Sequence, residues 1–329
     1  MNKSRRKGAV ERMTTLARDP GRDLRLTPGR RRLKKILCNW QLYLFLLPAL
    51  AYFLIFRYYP MLGLQIAFKR YRAVDGIWNS PWVGMKYFDQ FFRGPNFVRL
   101  LTNTLMISVG TLLVSFPIPV MLALLLNQLP SKGYKKLVQT TIYAPHFIST
   151  VVLVGIISLF FSPRNGIVNH LIAALGGERI HFMGEPSWFR PLYIGSDIWQ
   201  NAGWGSIIYL AALSSINPEL HEAAIMDGAN KYQRVWHIDL PGILPTVVIM
   251  FILSAGKVMT VGFEKAFLMK NDLNVSASEI ISIYVYQRGL QENQPSLSTA
   301  VGMFESVVNL ILITSVNYIS KKVSDSSLF

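Results

Sequence analysis

The chain has 329 residues, 51% of them hydrophobic and 16% charged, with a net charge of +16 and a single cysteine, Cys38. One cysteine excludes an intramolecular disulfide, a cysteine-based metal site and a CxxC redox pair. The positive charge does not point to nucleic acid: thirteen of the 34 lysines and arginines lie in the first 37 residues, ahead of the first apolar run, where anionic lipid is the natural neighbour.

Residues 1–37 read as a basic cytoplasmic tail, broken at Asp19-Pro20-Gly21 and Thr27-Pro28-Gly29 and closed by the cluster from Arg30 to Lys35. Ala49-Leu50-Ala51 resembles a signal cleavage site, but the basic stretch is long for a signal and further spans follow, so an uncleaved first span is expected. Six apolar segments, 38–56, 100–126, 137–161, 191–213, 240–261 and 300–319, each approach the length a helix needs to cross hydrocarbon. The fold class is therefore an all-α polytopic membrane protein with six transmembrane helices. Its parts are a first helix with a long external loop over 38–99, five more helices over 100–320, and a short tail over 321–329. With both termini cytoplasmic, that side carries 20 lysines and arginines against 13 outside, so the positive-inside rule agrees. The external connections 57–99, 162–190 and 262–299 are long enough to receive a soluble protein, and their aromatic residues equally suit interfacial anchoring.

No catalytic constellation is present: there is no GxSxG, no HExxH, and the five histidines are scattered. His146 reads as a packed, hydrogen-bonded residue, and His221 and His237 as solvated or in contact with a partner. Ser254-Ala255-Gly256-Lys257 lacks the first glycine and the Ser/Thr of a phosphate-binding loop. Ionisable groups within spans are costly and point to function. Asp197 and Glu305 lie roughly 10 Å from the external ends of their helices, and Lys257 reaches a similar layer. Gln200, Asn201, Ser254 and Asn309 extend that patch. Two readings stand: Asp197, Gln200, Asn201, Lys257, Glu305 and Asn309 line a water-filled translocation pathway, or the charges are structural, as an ion pair such as Lys257 with Glu305 or because a helix ends lower than its apolar run suggests.

The most polar stretch between two apolar runs is residues 217–241, NPELHEAAIMDGANKYQRVWHIDLP. It reads as two short helices joined at a glycine. Asn217 caps the first, Pro218 opens it, Glu219 and Glu222 suit its positive end, and Gly228 stops it. Glu222-Ala223-Ala224, three residues, Gly228, nine residues, Ile238, one residue, then Leu240-Pro241 resembles the EAA loop of binding-protein-dependent ABC importer permeases. The likeness runs from Pro60 to Phe329 and includes GLQIAFKRY at 63–71, WVGMKYF at 82–88, APHFIS at 144–149 and IWQNAGWGSIIYLAAL at 198–213. These stretches are similar to permeases of carbohydrate importers, especially those for oligo- and polysaccharides, and among them to the alginate-type importers.

That resemblance implies a type I importer fold in the bacterial cytoplasmic (inner) membrane. It also implies a complex with a second homologous permease, two ATP-binding subunits and an extracytoplasmic solute-binding protein. The chain itself is then no enzyme and binds no cofactor; ATP and Mg belong to the partner ATPase, and carbohydrate and membrane lipid are its other ligands, with no nucleic acid. Glu222, Ala223, Ala224, Gly228, Ile238, Leu240 and Pro241 take the ATPase-coupling role. The alternative function is a stand-alone secondary transporter or channel, which needs its own coupling residues and often inverted repeats. A membrane-embedded enzyme needs a clustered acid, base or metal site.

Overall fold

The computed structural model describes residues 40–323. Among these the architecture is helical, with one isolated antiparallel bridge between Lys69 and Trp82. The chain divides into two compact units, residues 1–63 and 64–329. In the first, α1 (Trp40–Phe53) is apolar on every side and none of its residues is buried, the pattern of a helix whose solvent is lipid. The basic tail expected over 1–37 lies outside the described residues.

In the second unit, α2 (Lys86–Phe92) precedes α3 (Phe97–Ser115), which runs through Phe116 into α4 (Pro117–Asn127). Then follow α5 (Lys132–Tyr143), α6 (Thr150–Phe160), α7 (Ile167–Ala174) and α8 (Pro186–Ser214). After α9 (Pro218–Met226) come α10 (Leu240–Ala255), α11 (Phe263–Met269), α12 (Ile281–Tyr286) and α13 (Pro295–Val323).

Four stretches are long and apolar enough to span a bilayer: Trp40–Phe68, Phe97–Asn127, Lys231–Ala255 and Pro295–Lys322. The segment expected as one span over 137–161 is instead broken. Lys132–Phe147 and Thr150–Phe160 meet at 98° and together have the length and apolarity of a fifth, as a broken span or a re-entrant loop. The cause is local: Pro145 has no amide to donate, and Ser149 leaves the helix to cap α6, its hydroxyl accepting from the Val152 amide at 3.4 Å. The expected fourth span corresponds to α8, which has the length at 29 residues but carries Asp197, Gln200 and Asn201 and falls outside the apolar set. The expected fifth span ends early, at Ala255, so Lys257 sits in the turn that follows rather than in a helix.

α8 is the hub, packed against α3, α4, α5 and α10. Small residues allow this, as in membrane helix packing generally. A Cβ at Gly203 would stand 2.0 Å from the Ile142 carbonyl oxygen, and one at Gly205 would stand 3.2 Å from Pro119. Apolar side chains from α3, α6 and α8 meet Phe182, Ala266, Met269, Ile280 and Ile283 in the largest buried cluster.

The last four of those come from the connection 262–299, expected on the external side. Over 256–294 the chain is folded into the body: Ala266, Ile280, Ile281 and Ile283 are fully buried. Its backbone is satisfied by polar side chains of α3. Asn103 Nδ2 donates to the carbonyls of Ser276 (2.8 Å) and Glu279 (3.0 Å), and Thr104 Oγ1 accepts from the Ile281 amide (3.0 Å). Glu279 is further held by Arg99 and, at 3.6 Å, by Lys270.

Lys265 of α11 is buried too, its ammonium donating to the Tyr193 carbonyl at 2.8 Å and lying 4.5 Å from the Tyr193 ring centroid. Burial lowers its pKa to about 8, and the Asp197 carboxylate opposes that shift. The unfolded chain, with an ordinary lysine, therefore binds more protons than the folded one between about pH 8 and 10.5. The thermal midpoint of the solubilised protein is expected to rise across that window and to level off above it. In Lys265→Met the rise should flatten, and an unchanged slope would show that Lys265 is charged and at ease.

Candidate functional site

The polar connection between α8 and α10 is built for rigidity. Asn217 Oδ1 accepts from the Glu219 amide at 3.1 Å, capping α9, and Pro218 occupies its first turn. At the other end the Ala229 amide reaches the Ala224 carbonyl (2.8 Å) and the Gly228 amide the Ile225 carbonyl (3.0 Å), with Gly228 at φ +79°. This is a Schellman closure, which requires the left-handed residue that only glycine adopts without cost. One residue on, Asn230 and Gln233 close a reciprocal capping box at 2.8 and 2.9 Å that starts the one-turn helix Lys231–Arg234. No atom lies within 4 Å of a Cβ added at Gly228, so substitution there meets backbone strain alone. In Gly228→Val a penalty of about 1–2 kcal/mol is expected. Exchange of the Ala229 amide with solvent should then quicken roughly fivefold to thirtyfold; an unchanged rate would mean the closure does not depend on glycine.

Of the seven residues read as a coupling set, Glu222, Ala223, Gly228 and Pro241 are exposed, and Ala224, Ile238 and Leu240 are half-buried. Ala224, Gly228, Gln233, Arg234, His237 and Ile238 line a hollow of about 310 Å³ between α9 and the one-turn helix. Around it stand large apolar side chains left in the open, with Met226 at 87% and Tyr232 at 86% exposure.

The residue between Ile238 and Leu240, which the motif leaves free, proves to be the structural junction. Asp239 is fully buried. Its Oδ2 accepts from Gln128 Nε2 at 2.9 Å, and its Oδ1 lies 3.3 Å from His221 Nε2. The Arg234 guanidinium adds favourable charge. One carboxylate thus ties α9, through His221, to the end of α4 and the base of α10. His221, expected to be solvated or to touch a partner, is instead turned inward. The available signal was an aspartate beside an apolar span with a histidine and an arginine in the same polar stretch.

At the other level of the bundle, α3, α8 and α10 enclose a cavity of about 400 Å³. Of the six residues expected along a pathway, it is lined by Asp197, Asn201 and Lys257. Asn201 links two groups: its Nδ2 donates to Asp197 Oδ1 and its Oδ1 meets His146 Nδ1, both at 3.0 Å. His146 stacks on Trp204 with centroids 4.7 Å apart, the packed, hydrogen-bonded histidine that was anticipated. Gln200 and Asn309 turn out to brace broken backbone. Gln200 Nε2 donates to the Ile148 carbonyl (2.8 Å) freed by the break between α5 and α6. Asn309 accepts from the Met259 amide (3.0 Å) beyond the end of α10. Glu305 does not line the cavity, and no ion pair joins it to Lys257 among the described residues. The structural ion pair is therefore not formed.

A helical, multiply spanning body with a cavity between its helices that carries a few polar groups, and an exposed helix tied to two of them, defines a membrane permease component. The chain belongs to the family of binding-protein-dependent transport system inner membrane components, matched over residues 115–325. Protein LplB of Bacillus subtilis (strain 168) is 49% identical over 288 residues, covering 88% of this chain and 91% of that protein. The polygalacturonan/rhamnogalacturonan transport system permease protein YteP of the same organism is 44% identical over 300 residues, covering 91% and 94%. A chain in the crystal structure of a bacterial ABC transporter involved in the import of the acidic polysaccharide alginate superposes with a TM-score of 0.83 at 42% identity. The match covers 89% of this chain and 99% of that one. A second structure, of the bacterial alginate ABC transporter in complex with alginate pentasaccharide-bound periplasmic protein, agrees at TM-score 0.83 and 41% identity. The protein is thus a multi-pass membrane permease subunit with an ABC importer fold, and not itself an enzyme.

Proposed function

We propose that this chain forms half of the membrane channel of an ATP-driven, solute-binding-protein-dependent importer in the bacterial cytoplasmic membrane, and that it moves an oligo- or polysaccharide, with alginate-like uronate polymers the first to test. The observation that carries this reading is α9: a short helix capped at both ends, exposed on its Glu222-Ala223 face and strapped to two other helices. A lever of that kind transmits rigid-body motion, whereas an unrestrained loop absorbs it. The polygalacturonan/rhamnogalacturonan permease among the relatives and the alginate importer among the solved structures support the carbohydrate assignment.

In the arrangement we infer, six helices cross the membrane with both termini cytoplasmic, α8 and the bent α5–α6 pair included. The tail over 1–37 and residues 321–329 then lie inside, the first helix and its external loop occupy 38–99, and the permease core spans 100–320 with its coupling loop at 217–241. A second homologous permease completes the channel. Two ATP-binding subunits, which carry ATP and Mg, dock on α9 through Glu222, Ala223, Ala224 and Gly228, while Ile238, Leu240 and Pro241 fix the loop to the base of α10. Glu222 supplies a carboxylate for a charge-assisted contact to an arginine or lysine of the motor. An extracytoplasmic binding protein delivers the sugar, which passes chemically unchanged.

Asp197, Asn201 and Lys257 face the cavity through which the sugar moves; Gln200 and Asn309 hold the backbone around it, and Glu305 stands apart. Co-purification of a nucleotide-hydrolysing partner, reconstitution with the binding protein, and ATPase stimulation across a sugar panel test the whole reading. Uronate oligosaccharides should give the largest stimulation. Turnover of any sugar by the purified chain alone would overturn it, and Lys257→Met with unchanged transport would remove Lys257 from the pathway.

A further inference from the structure

Between α6 and α8 the chain places α7, a helix of eight residues that no step of the import reading uses. It is fixed at both ends and from beneath. A Cβ at its N-cap, Gly166, would stand 2.5 Å from the carbonyl oxygens of Phe160 and Ser162, so α7 starts directly on the end of α6. Asn169 is buried under it. Its Nδ2 donates to the Ser162 and Ile180 carbonyls, both at 3.0 Å, and its Oδ1 accepts from the Ile180 amide at 2.8 Å. At the far end Gly176 takes φ +85°, and the Gly176 and Gly177 amides reach the carbonyls of Ala173 (3.1 Å) and Ile172 (2.9 Å), a second Schellman closure. Val168 and Ile172 pack on the largest buried cluster.

Held in this way, α7 cannot turn its other side inward, and that side is apolar. Ile167, Leu171 and Leu175 recur every fourth residue, fall on one face, and are each more than half exposed. Two cations accompany them. Arg179 Nη1 donates to the Arg164 carbonyl at 3.3 Å, which brings both arginines to the end of α7 nearest α6. Both are exposed, and among the described residues no ion pair includes either of them or the neighbouring Glu178. Position and chemistry together decide what covers this face. α6 is apolar throughout, and its Val151, Val152 and Leu159 side chains are exposed, so its surroundings are lipid. A helix mounted on the end of α6 stands where hydrocarbon gives way to headgroups. Aliphatic side chains on one face with arginines at its edge suit a helix lying in that boundary, the arginines reaching up to lipid phosphates. The core of a protein interface is marked instead by aromatic residues, and this stripe holds none.

We propose that α7 is an interfacial helix, seated in the external leaflet in the topology given above. Ile167, Leu171 and Leu175 lie among the upper acyl chains of phospholipid, and Arg164 and Arg179 bind its phosphates. The inference requires only that the chain spans a membrane, and so it goes beyond the import reading. It gives the connection 162–190, expected to be able to receive a soluble protein, a lipid-bound helix at its centre.

The single cysteine makes a direct test possible. In a Cys38→Ser background with cysteine-free partner subunits, a nitroxide is attached through Leu171→Cys, Leu175→Cys or His170→Cys. The complete importer is placed in nanodiscs of phosphatidylethanolamine and phosphatidylglycerol. Relaxation of the label by oxygen, which concentrates in lipid, is compared with relaxation by a water-soluble nickel chelate. At 171 and 175 oxygen is expected to be the more effective, and at 170, about 100° around the helix, the balance should shift toward nickel. Combining Arg164→Gln with Arg179→Gln should raise nickel access at 171. Nickel more effective than oxygen at both 171 and 175 would leave the stripe in water and overturn the proposal. Weak relaxation by both reagents would overturn it too, because the second permease then covers the face. So would loss of the oxygen effect when the loaded binding protein docks. If one labelled variant fails to assemble, the other carries the decision. A lipid signature in a complex that imports no sugar would sink the import reading and leave the interfacial helix standing.

Discussion

Gly203→Val is expected to unfold the hub of the bundle. The added Cβ would lie 2.0 Å from the Ile142 carbonyl oxygen and 2.6 Å from its carbon, and both are backbone atoms that no rotamer change can move aside. The helices α5 and α8 must separate, and with them goes the alignment of Asn201 on His146 and Gln200 on Ile148. Overpacking ordinarily costs about 1–3 kcal/mol, and a collision with backbone belongs at or above the top of that range. A fall in the thermal midpoint of the solubilised protein of about 6–12 °C or more follows, at about 2–4 °C per kcal/mol. Gly155, in α6, has nothing within 4 Å of an added Cβ, so Gly155→Ala is the control. It should be neutral or stabilising by up to about 1 kcal/mol through helix propensity. Equal midpoints for the two variants would refute the close approach.

The second large effect is expected at Asp239. Its removal in Asp239→Ala leaves the Gln128 amide, the His221 ring and the Arg234 guanidinium facing a buried gap, and breaking a buried charge cluster this way costs about 3–5 kcal/mol. Asp239→Asn keeps an oxygen for Gln128 and should lose less. A double-mutant cycle with His221→Leu isolates the contact between α9 and the base of α10, and a coupling of about 1–3 kcal/mol is expected. Additive losses within about 0.5 kcal/mol would show that His221 and Asp239 are mere neighbours. If the import reading holds, the same variants should lower sugar moved per ATP hydrolysed, because the lever is then loose at its root.

The two sites differed in how far they were legible. The two ends of the helix over 217–228 were readable in detail, because capping and closure are local: Asn217, Pro218 and Gly228 act within five residues of themselves, and the sequence holds both partners of each bond. His221 was misread because its partner is eighteen positions away, across a turn that no periodicity describes. The pathway residues were harder for a related reason. An amide inside an apolar run signals that something polar is nearby, but Gln200 and Asn201 carry that signal equally. One answers the broken backbone at Ile148 and the other faces the cavity.

By itself the sequence determined that this protein spans a bilayer more than once, roughly where its long apolar helices lie, and that its polar connection belongs to a known class of permease. Those properties follow from hydrophobic runs, prolines, caps and a spaced motif, all of which act over short stretches of chain. Only the tertiary structure decided that the span near residue 146 is bent by 98°, that Ala266, Ile280, Ile281 and Ile283 of the 256–294 connection are buried, and that Asp239 joins three helices. Each of these depends on which distant side chain meets a freed carbonyl or a buried charge, and that pairing is set by packing around Gly203 and its neighbours, not by any local preference.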